Sequence, residues 1–183
     1  FRTLLRRTMK LHLGCGDVHL DGWLNLDISQ DSAADRSENV ATLTTIADES
    51  CDLIYASHVL EHFGRNEYEK VLTVWQQKLK VGGILRVAVP DLQSALKWYN
   101  GNNLDELLGI FYGGQRSPYD YHKMGFDKES LSGKLTELGF KNIKTWDWRE
   151  TDHSSTDDYS QSYLPHMRKD SGLLMSLNLE ATK

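Results

Sequence analysis

The chain has 183 residues, a hydrophobic share of 39% and a net charge of −5. A chain of this length and apolar content can bury one core, so we expect residues 1–183 to form a single domain. The acidic balance argues against a nucleic-acid partner, because binding to phosphates needs a basic surface. The sequence holds no run of about 18 apolar residues, so we expect no membrane span.

The two cysteines, Cys15 and Cys51, lie in or beside apolar segments that resemble strands. Neither has neighbours at the spacing of metal ligands. Free thiols in a core are typical of reducing compartments, so we expect reduced cysteines and a cytoplasmic location.

Three short apolar segments at residues 9–13, 23–26 and 52–56 are predicted strands. The first connection is short, because only ten residues separate Gly16 from Asp27. A parallel crossover with its helix needs about ten to twelve residues. We therefore expect the first crossover helix to be short or missing, and residues 1–8 to cover the exposed face of the sheet instead.

A helix and a buried strand follow in the middle of the chain. From Asn66 onward apolar residues recur at helical spacing, and the pair Gly82 and Gly83 ends the predicted helix. Residues 84–89 are a nearly continuous apolar run, which is typical of a central parallel strand covered on both faces.

The last part of the chain predicts one helix and two strands. Asp127 is the predicted N-cap of a helix that ends at Leu138 and Gly139. Residues 140–148 and 173–181 are predicted strands with no helix between them, so the last strand should run antiparallel as a hairpin partner. Alternating strands and helices predict an α/β fold with a doubly wound, mostly parallel sheet.

Two motifs follow the first two strands. Gly14, Cys15 and Gly16 come directly after the first strand, where glycines let the backbone approach a ligand at the carboxyl edge of the sheet. Asp27 ends the second strand, where a carboxylate can accept hydrogen bonds from a ribose diol. Each motif alone is also consistent with an ordinary turn or strand end.

Five segments together resemble the class I methyltransferases that depend on S-adenosylmethionine (SAM). The chain is most similar to a branch of mostly uncharacterised bacterial members of that class. The segments are residues 11–16 (LHLGCG), 22–27 (GWLNLD), 52–62 (DLIYASHVLEH), 79–91 (LKVGGILRVAVPD) and 135–140 (LTELGF). The resemblance covers residues 9–183 and implies a Rossmann-like methyltransferase fold with an antiparallel C-terminal strand. It also implies SAM as cofactor and S-adenosylhomocysteine (SAH) as product.

The resemblance assigns two groups of residues to the methionine part of SAM. Gly14, Cys15 and Gly16 would line it from the first strand, and Ala56, Ser57 and His58 would approach it and the sulfonium from the strand at residues 52–56.

The other end of the cofactor is assigned to residues after the second strand. By the same resemblance, Asp27 would hold the ribose hydroxyls and Ile28 would pack on the adenine. The usual aspartate at the adenine amine has no clear counterpart, and either Asn39 or Thr42 falls nearby.

Two irregular segments, residues 113–125 and 149–172, are expected to close the acceptor pocket. Loops longer than about 12–15 residues in a compact domain usually have a function. His122 is the candidate general base, because histidine titrates near neutral pH. Tyr119 and Tyr121 would wall the acceptor, and His153 is the reserve candidate for the base.

The spacing of two histidines is also consistent with a metal site. His58 and His62 stand at i, i+4 on a predicted helix, a spacing that can bind zinc, but no motif places a third ligand. We therefore expect no metal. Glu61 and His62 are adjacent, and adjacent helix residues do not share a face, so structural roles are expected for them.

The predicted function is methyl transfer from SAM to a small-molecule or sugar-like acceptor. Two alternatives remain open: a nonenzymatic module that binds SAM or SAH, and an NAD-dependent oxidoreductase on a similar sheet. The glycine turn lacks the third glycine of GxGxxG, which argues against the oxidoreductase.

Overall fold

The computed structural model describes residues 8–183, and a seven-stranded sheet forms its centre. The strands of this sheet are β1 Lys10–Leu13, β2 Leu24–Asp27, β3 Arg36–Ser37, β4 Cys51–Ser57, β5 Leu79–Pro90, β6 Lys141–Thr145 and β9 Ser176–Thr182. A separate hairpin is formed by β7 Tyr163–Leu164 and β8 Leu173–Leu174.

The sheet has the order β3-β2-β1-β4-β5-β9-β6. The pairings from β3 to β5 are parallel, whereas β9 pairs antiparallel with both β5 and β6. The expected α/β sheet with an antiparallel C-terminal strand is therefore confirmed.

Four α-helices accompany the sheet in the described part of the chain: α1 Tyr68–Lys78, α2 Leu92–Trp98, α3 Leu108–Tyr112 and α4 Lys128–Glu137. Asp127 caps α4 as expected, since its side chain accepts from the Ser130 N–H. Short 3-10 turns lie at Leu60–His62, Leu104–Leu107, Trp148–Glu150 and Tyr159–Gln161. None of these helices has the length and apolar character needed to cross a membrane.

The connection from β1 to β2 contains turns and no helix, as its length predicted. The expectation that residues 1–8 cover the exposed face lies outside the described residues, except for Thr8.

Several predicted boundaries are wrong. The helix expected to reach Gly82 ends at Lys78. Strand β5 begins at the next residue, because Leu79 already pairs with Cys51; the register of this pairing then shifts before Leu53. The segment 140–148 leaves the sheet after Thr145, and the segment 173–181 is divided between β8 and β9.

The two faces of the sheet are covered differently. Along β4, Ile54 belongs to the large core beneath the helices, whereas its neighbour Tyr55 belongs to a second, aromatic cluster with Trp23 and Trp146. Successive strand residues point to opposite faces, so the aromatic cluster lies on the face away from the main core. His153 is buried against this cluster, with its ring centroid 4.4 Å from that of Tyr55.

Candidate active site

The carboxyl ends of β1 and β4 open on a first cavity of about 520 Å³. Because the two strands are parallel neighbours, their C-terminal turns meet at one edge of the sheet. The predicted residues Gly14, Cys15, Gly16, Ser57 and His58 line this cavity. The opposite wall comes mainly from the loop after β6, through Asp157, Asp158, Tyr159, Ser162, His166 and Met167.

The two glycines of the β1 turn have different surroundings. Both have positive φ, +61° at Gly14 and +52° at Gly16. A Cβ at Gly14 would lie 2.5 Å from Val59 Cγ2, so any side chain there collides with the turn after β4. A Cβ at Gly16 would meet no atom within 4 Å, so the backbone of Gly16 faces open space at the cavity.

Asp27 is tied to this turn. One carboxylate oxygen accepts the Gly16 N–H at 2.8 Å, and the other accepts the Ser29 N–H at 2.8 Å. Asp27 and the half-exposed Ile28 lie next to the turn but outside the lining of the first cavity.

Two further predicted cofactor contacts, Asn39 and Ala56, are also outside the lining of the first cavity. The Asn39 side chain accepts the Ala41 N–H at 2.9 Å and so stabilises its own turn. Ala56 is buried in the main core, because it points to the helix-covered face of β4. The contacts that the structure shows for these two side chains are local ones.

A second cavity of about 310 Å³ adjoins the first. His62, Gly109, Ile110, Gly113, Gly114, Asp120 and His122 line only the second cavity. Five residues line both cavities: His58, Arg116, Tyr159, Ser162 and His166. The ring centroids of His58 and Tyr159 lie 5.4 Å apart at this boundary. The loops at 113–125 and 149–172 thus both contribute to the second cavity.

His122 is half-buried in the wall of the second cavity. Its Nδ1 donates to the Ile110 carbonyl at 2.8 Å, and its Nε2 lies 3.8 Å from Glu61 Oε1. Burial lowers the pKa of His122, opposed by the negative charge of Glu61. Tyr119 and Tyr121, expected beside it as acceptor walls, are exposed and line neither cavity.

His153, the reserve base, lies elsewhere. It is 4% exposed inside the aromatic cluster and lines neither cavity. Burial lowers its pKa to about 4. The loop after β6 turns back over the aromatic face before it reaches the cavities, which is why this histidine is removed from the carboxyl edge.

The segment His58–His62 is not the helix that the sequence predicted. His58 has a φ of +54°, and only Leu60–His62 form a single 3-10 turn. Because this turn is not an α-helix, the side chains of the adjacent residues Glu61 and His62 can both approach His122. Glu61 is fully buried, and His58 Nδ1 lies 3.3 Å from its Oε1. The sequence-based expectation missed Glu61 because it assumed helical geometry.

Residues 11–87 match a family model described as a methyltransferase domain. A search of curated proteins gives no match. The fold is shared with solved structures of low sequence identity. A SAM-dependent methyltransferase from Archaeoglobus fulgidus is 16% identical with a TM-score of 0.60, over 96% of this chain and 86% of that one. A SAM-dependent methyltransferase from Thermotoga maritima, described as a possible histamine N-methyltransferase, is 17% identical with a TM-score of 0.63, over 98% and 84%.

A third similar structure carries ligands. The 1,6-didemethyltoxoflavin-N1-methyltransferase of Burkholderia thailandensis, with 1,6-didemethyltoxoflavin and SAH bound, is 13% identical with a TM-score of 0.58, over 97% of this chain and 72% of that one. Residues 11–87 therefore match a methyltransferase domain, and the fold of the chain is the one that these SAM-dependent methyltransferases share. The first two of these structures are described as SAM-dependent, and the third holds SAH.

Proposed function

We propose that the protein transfers the methyl group of SAM to a small-molecule acceptor held in the second cavity. The observation that carries this proposal is the shared boundary of the two cavities at His58 and Tyr159. Both cavities fall within the range of about 300–1,000 Å³ that is usual for small-molecule sites. Two bound molecules can therefore meet at this boundary.

The first cavity is the cofactor site in this proposal. The turn of Gly14, Cys15 and Gly16 would hold the methionine part, since the open space at Gly16 lets a ligand approach the backbone. Asp27 would hold the ribose. An ionised carboxylate offers about four acceptor positions, and the two backbone bonds to Gly16 and Ser29 leave the others for hydroxyl groups.

The polar lining of the second cavity supports a polar acceptor. His62, Arg116, Asp120 and His122 offer hydrogen-bonding groups, as a hydroxyl-bearing or sugar-like molecule requires. Bound SAM supplies an electrophilic methyl group whose leaving group is a neutral thioether. The main task of the protein is thus to hold the acceptor in line with that methyl group.

We propose His122 as the residue that acts on the acceptor. Its Nδ1 donates to a carbonyl, so the neutral ring carries its lone pair on Nε2. A lone pair in this position can take the acceptor's proton or bind a cation that makes the acceptor more acidic. In both cases His122 serves the acceptor and leaves the cofactor site unchanged.

Filling the second cavity tests this division of roles. Gly109 lies in α3 at that cavity, and a Cβ there would meet no atom within 4 Å. We expect Gly109→Leu to bind SAH with parent-like affinity but to form SAH from labelled SAM and an acceptor on the order of 10²-fold more slowly, because the acceptor is displaced. The assay is SAH production on acceptors found by screening hydroxyl-bearing molecules.

Gly133→Leu is the matched control. Gly133 also lies in a helix with open space at its Cβ, but it lines neither cavity. Its turnover should equal that of the parent. Parent-like turnover in Gly109→Leu would contradict the acceptor site, and SAH binding without turnover on any acceptor would favour the nonenzymatic module.

A further inference from the structure

The carboxylate of Glu61 is buried without a hydrogen bond. Within the part of the chain that the structure describes, Glu61 is 0% exposed and neither of its oxygens has a hydrogen-bond partner. Burying an ionised carboxylate is costly unless it is paired or coordinates a metal. An ionised Glu61 side chain therefore needs a positively charged partner, and His58 Nδ1, 3.3 Å from Oε1, makes no hydrogen bond with it.

Two neighbouring histidines are oriented so that each keeps a lone pair. The Nδ1 atoms of His62 and His122 lie 3.1 Å from the Tyr121 carbonyl and 2.8 Å from the Ile110 carbonyl. A carbonyl only accepts hydrogen bonds, so both Nδ1 atoms carry the proton and both Nε2 atoms carry the lone pair. Metal-binding histidines are typically fixed in this way, by a backbone carbonyl on the nitrogen that does not bind the metal.

The backbone brings His122 to Glu61. The N–H groups of Lys123 and Met124 donate to the Glu61 carbonyl at 2.7 and 3.2 Å. These bonds hold the segment 113–125 against the turn Leu60–His62, although the two are about sixty residues apart in the chain. The sequence placed no further ligand beside His62, and the fold brings His122 to it together with the adjacent Glu61.

The three side chains are close enough to share one ion. A carboxylate oxygen of Glu61 and one nitrogen each from His62 and His122 lie within 4.8 Å of one another. Bonds of about 2.0–2.2 Å to zinc place two ligand atoms at most about 4.4 Å apart. A movement of about half an ångström would therefore close the site.

We propose that Glu61, His62 and His122 bind one divalent transition-metal ion, with Zn²⁺ as the reference ion. Two imidazoles and a carboxylate are a donor set that suits such ions, and three protein ligands leave an open position for a further ligand. His62 and His122 line the second cavity, so the open position faces the acceptor.

The position of the ion indicates its role, and this step rests on the proposed function. A hydroxyl group of the acceptor binds the ion, which lowers its pKa so that the proton leaves to water. The resulting oxygen anion forms the new bond to the methyl carbon. The bond between sulfur and that carbon breaks, and its electron pair stays on the neutral thioether of SAH.

Metal binding to the full chain tests the inference independently of turnover. The protein is first treated with a chelator, then titrated with Zn²⁺ by calorimetry and with Co²⁺ by visible absorption. We expect one ion per chain and an absorption spectrum of a Co²⁺ ion bound by imidazole and carboxylate. Glu61→Gln and His122→Ala should each weaken binding at least about 100-fold, since removing a ligand costs more than removing a group behind it.

Two variants control for folding and for adventitious binding. His62→Ala removes a less buried ligand and should weaken metal binding to a similar extent. It serves as the test if Glu61→Gln fails to fold. His19→Ala removes an exposed histidine beside Asp21 and Asp35, where a stray ion would bind, and should keep the parent affinity. Loss of the ion in His19→Ala, or its retention in folded His122→Ala, would overturn the proposal.

The measurements separate the two proposals. Failure of the parent to bind Zn²⁺ or Co²⁺, with SAH binding and transfer intact, would overturn the metal site and leave the methyltransferase function standing. A bound metal without SAH binding would do the reverse.

Discussion

Single residues at the β1 turn carry the strongest constraint on the proposed cofactor site. Gly14 is fixed by packing, because a side chain would collide with Val59, whereas Gly16 has room and faces the first cavity. Both have positive φ, which other residues adopt at a cost of roughly 1–2 kcal/mol. Gly16 is therefore the glycine whose loss would affect the ligand more than the fold.

Replacing Gly16 by alanine should weaken SAH binding at least tenfold, about 1.4 kcal/mol, because the new methyl group occupies space that the ligand needs. Gly22→Ala is the matched control: Gly22 also has positive φ and open space at its Cβ, but it lies outside both cavities. Thermal melting reports the strain, which should be similar in the two variants, and calorimetry reports SAH affinity. Equal affinity in both variants would rule out contact between Gly16 and the ligand.

The site residues that the sequence could predict are those with a local signal. Gly14, Gly16 and Asp27 follow apolar strands directly, so the edge of the sheet can be located without a structure. Glu61 could not be predicted, because the role proposed for it depends on a positive φ at His58 and on a distant loop that presents His122. No periodicity encodes either feature.

Among the elements, the loop after β6 covers the face of the sheet that carries the aromatic cluster, where crossover helices would otherwise pack. The connections at residues 14–23 and 28–35 hold turns rather than helices. Trp23, Tyr55 and Trp146 form the aromatic cluster, and His153 from the loop is buried against it. The loop begins on this face and continues to the cavities, so its folding links the stability of the sheet to the site.

Low pH should reduce the stability of the folded protein, because His153 is buried against the aromatic cluster. Burial lowers the pKa of His153 from 6.5 to about 4; Asp158 and Asp152 oppose this effect, whereas Arg86 and His12 add to it. As the pH falls from about 6.5 to about 4, the unfolded chain binds a proton at this position before the folded chain does, so stability is lost in that window.

The replacement His153→Phe keeps an aromatic ring beside Tyr55 and removes the titration. We expect urea unfolding of the parent to shift to lower urea concentration more steeply between pH 7 and pH 4 than that of the variant. The two proteins should show parallel behaviour above pH 7, where His153 is neutral in both states. An identical dependence across the whole range would mean that His153 is not buried in the folded protein.

At the scale of the whole molecule, one edge of a mostly parallel sheet carries both cavities. The mostly parallel sheet and its antiparallel last strand were predictable, because strands and helices alternate along the chain until the last strand, which no helix precedes. The two-residue strand β3 was not, since Arg36 and Ser37 are exposed and have no apolar pattern. The second cavity was predictable only as a pair of loops, because its lining comes from segments far apart in the chain.

The central claim is that the carboxyl edge at Gly16 and Asp27 binds SAM, and a calorimetric titration with SAH tests it most directly. We expect one site of micromolar affinity in the parent, no heat with NADH, and binding at least about tenfold weaker in folded Asp27→Asn, because a hydrogen bond to a charged group contributes about 1.5–3 kcal/mol. Absence of SAH binding in the parent, or tighter binding of NADH than of SAH, would contradict the account.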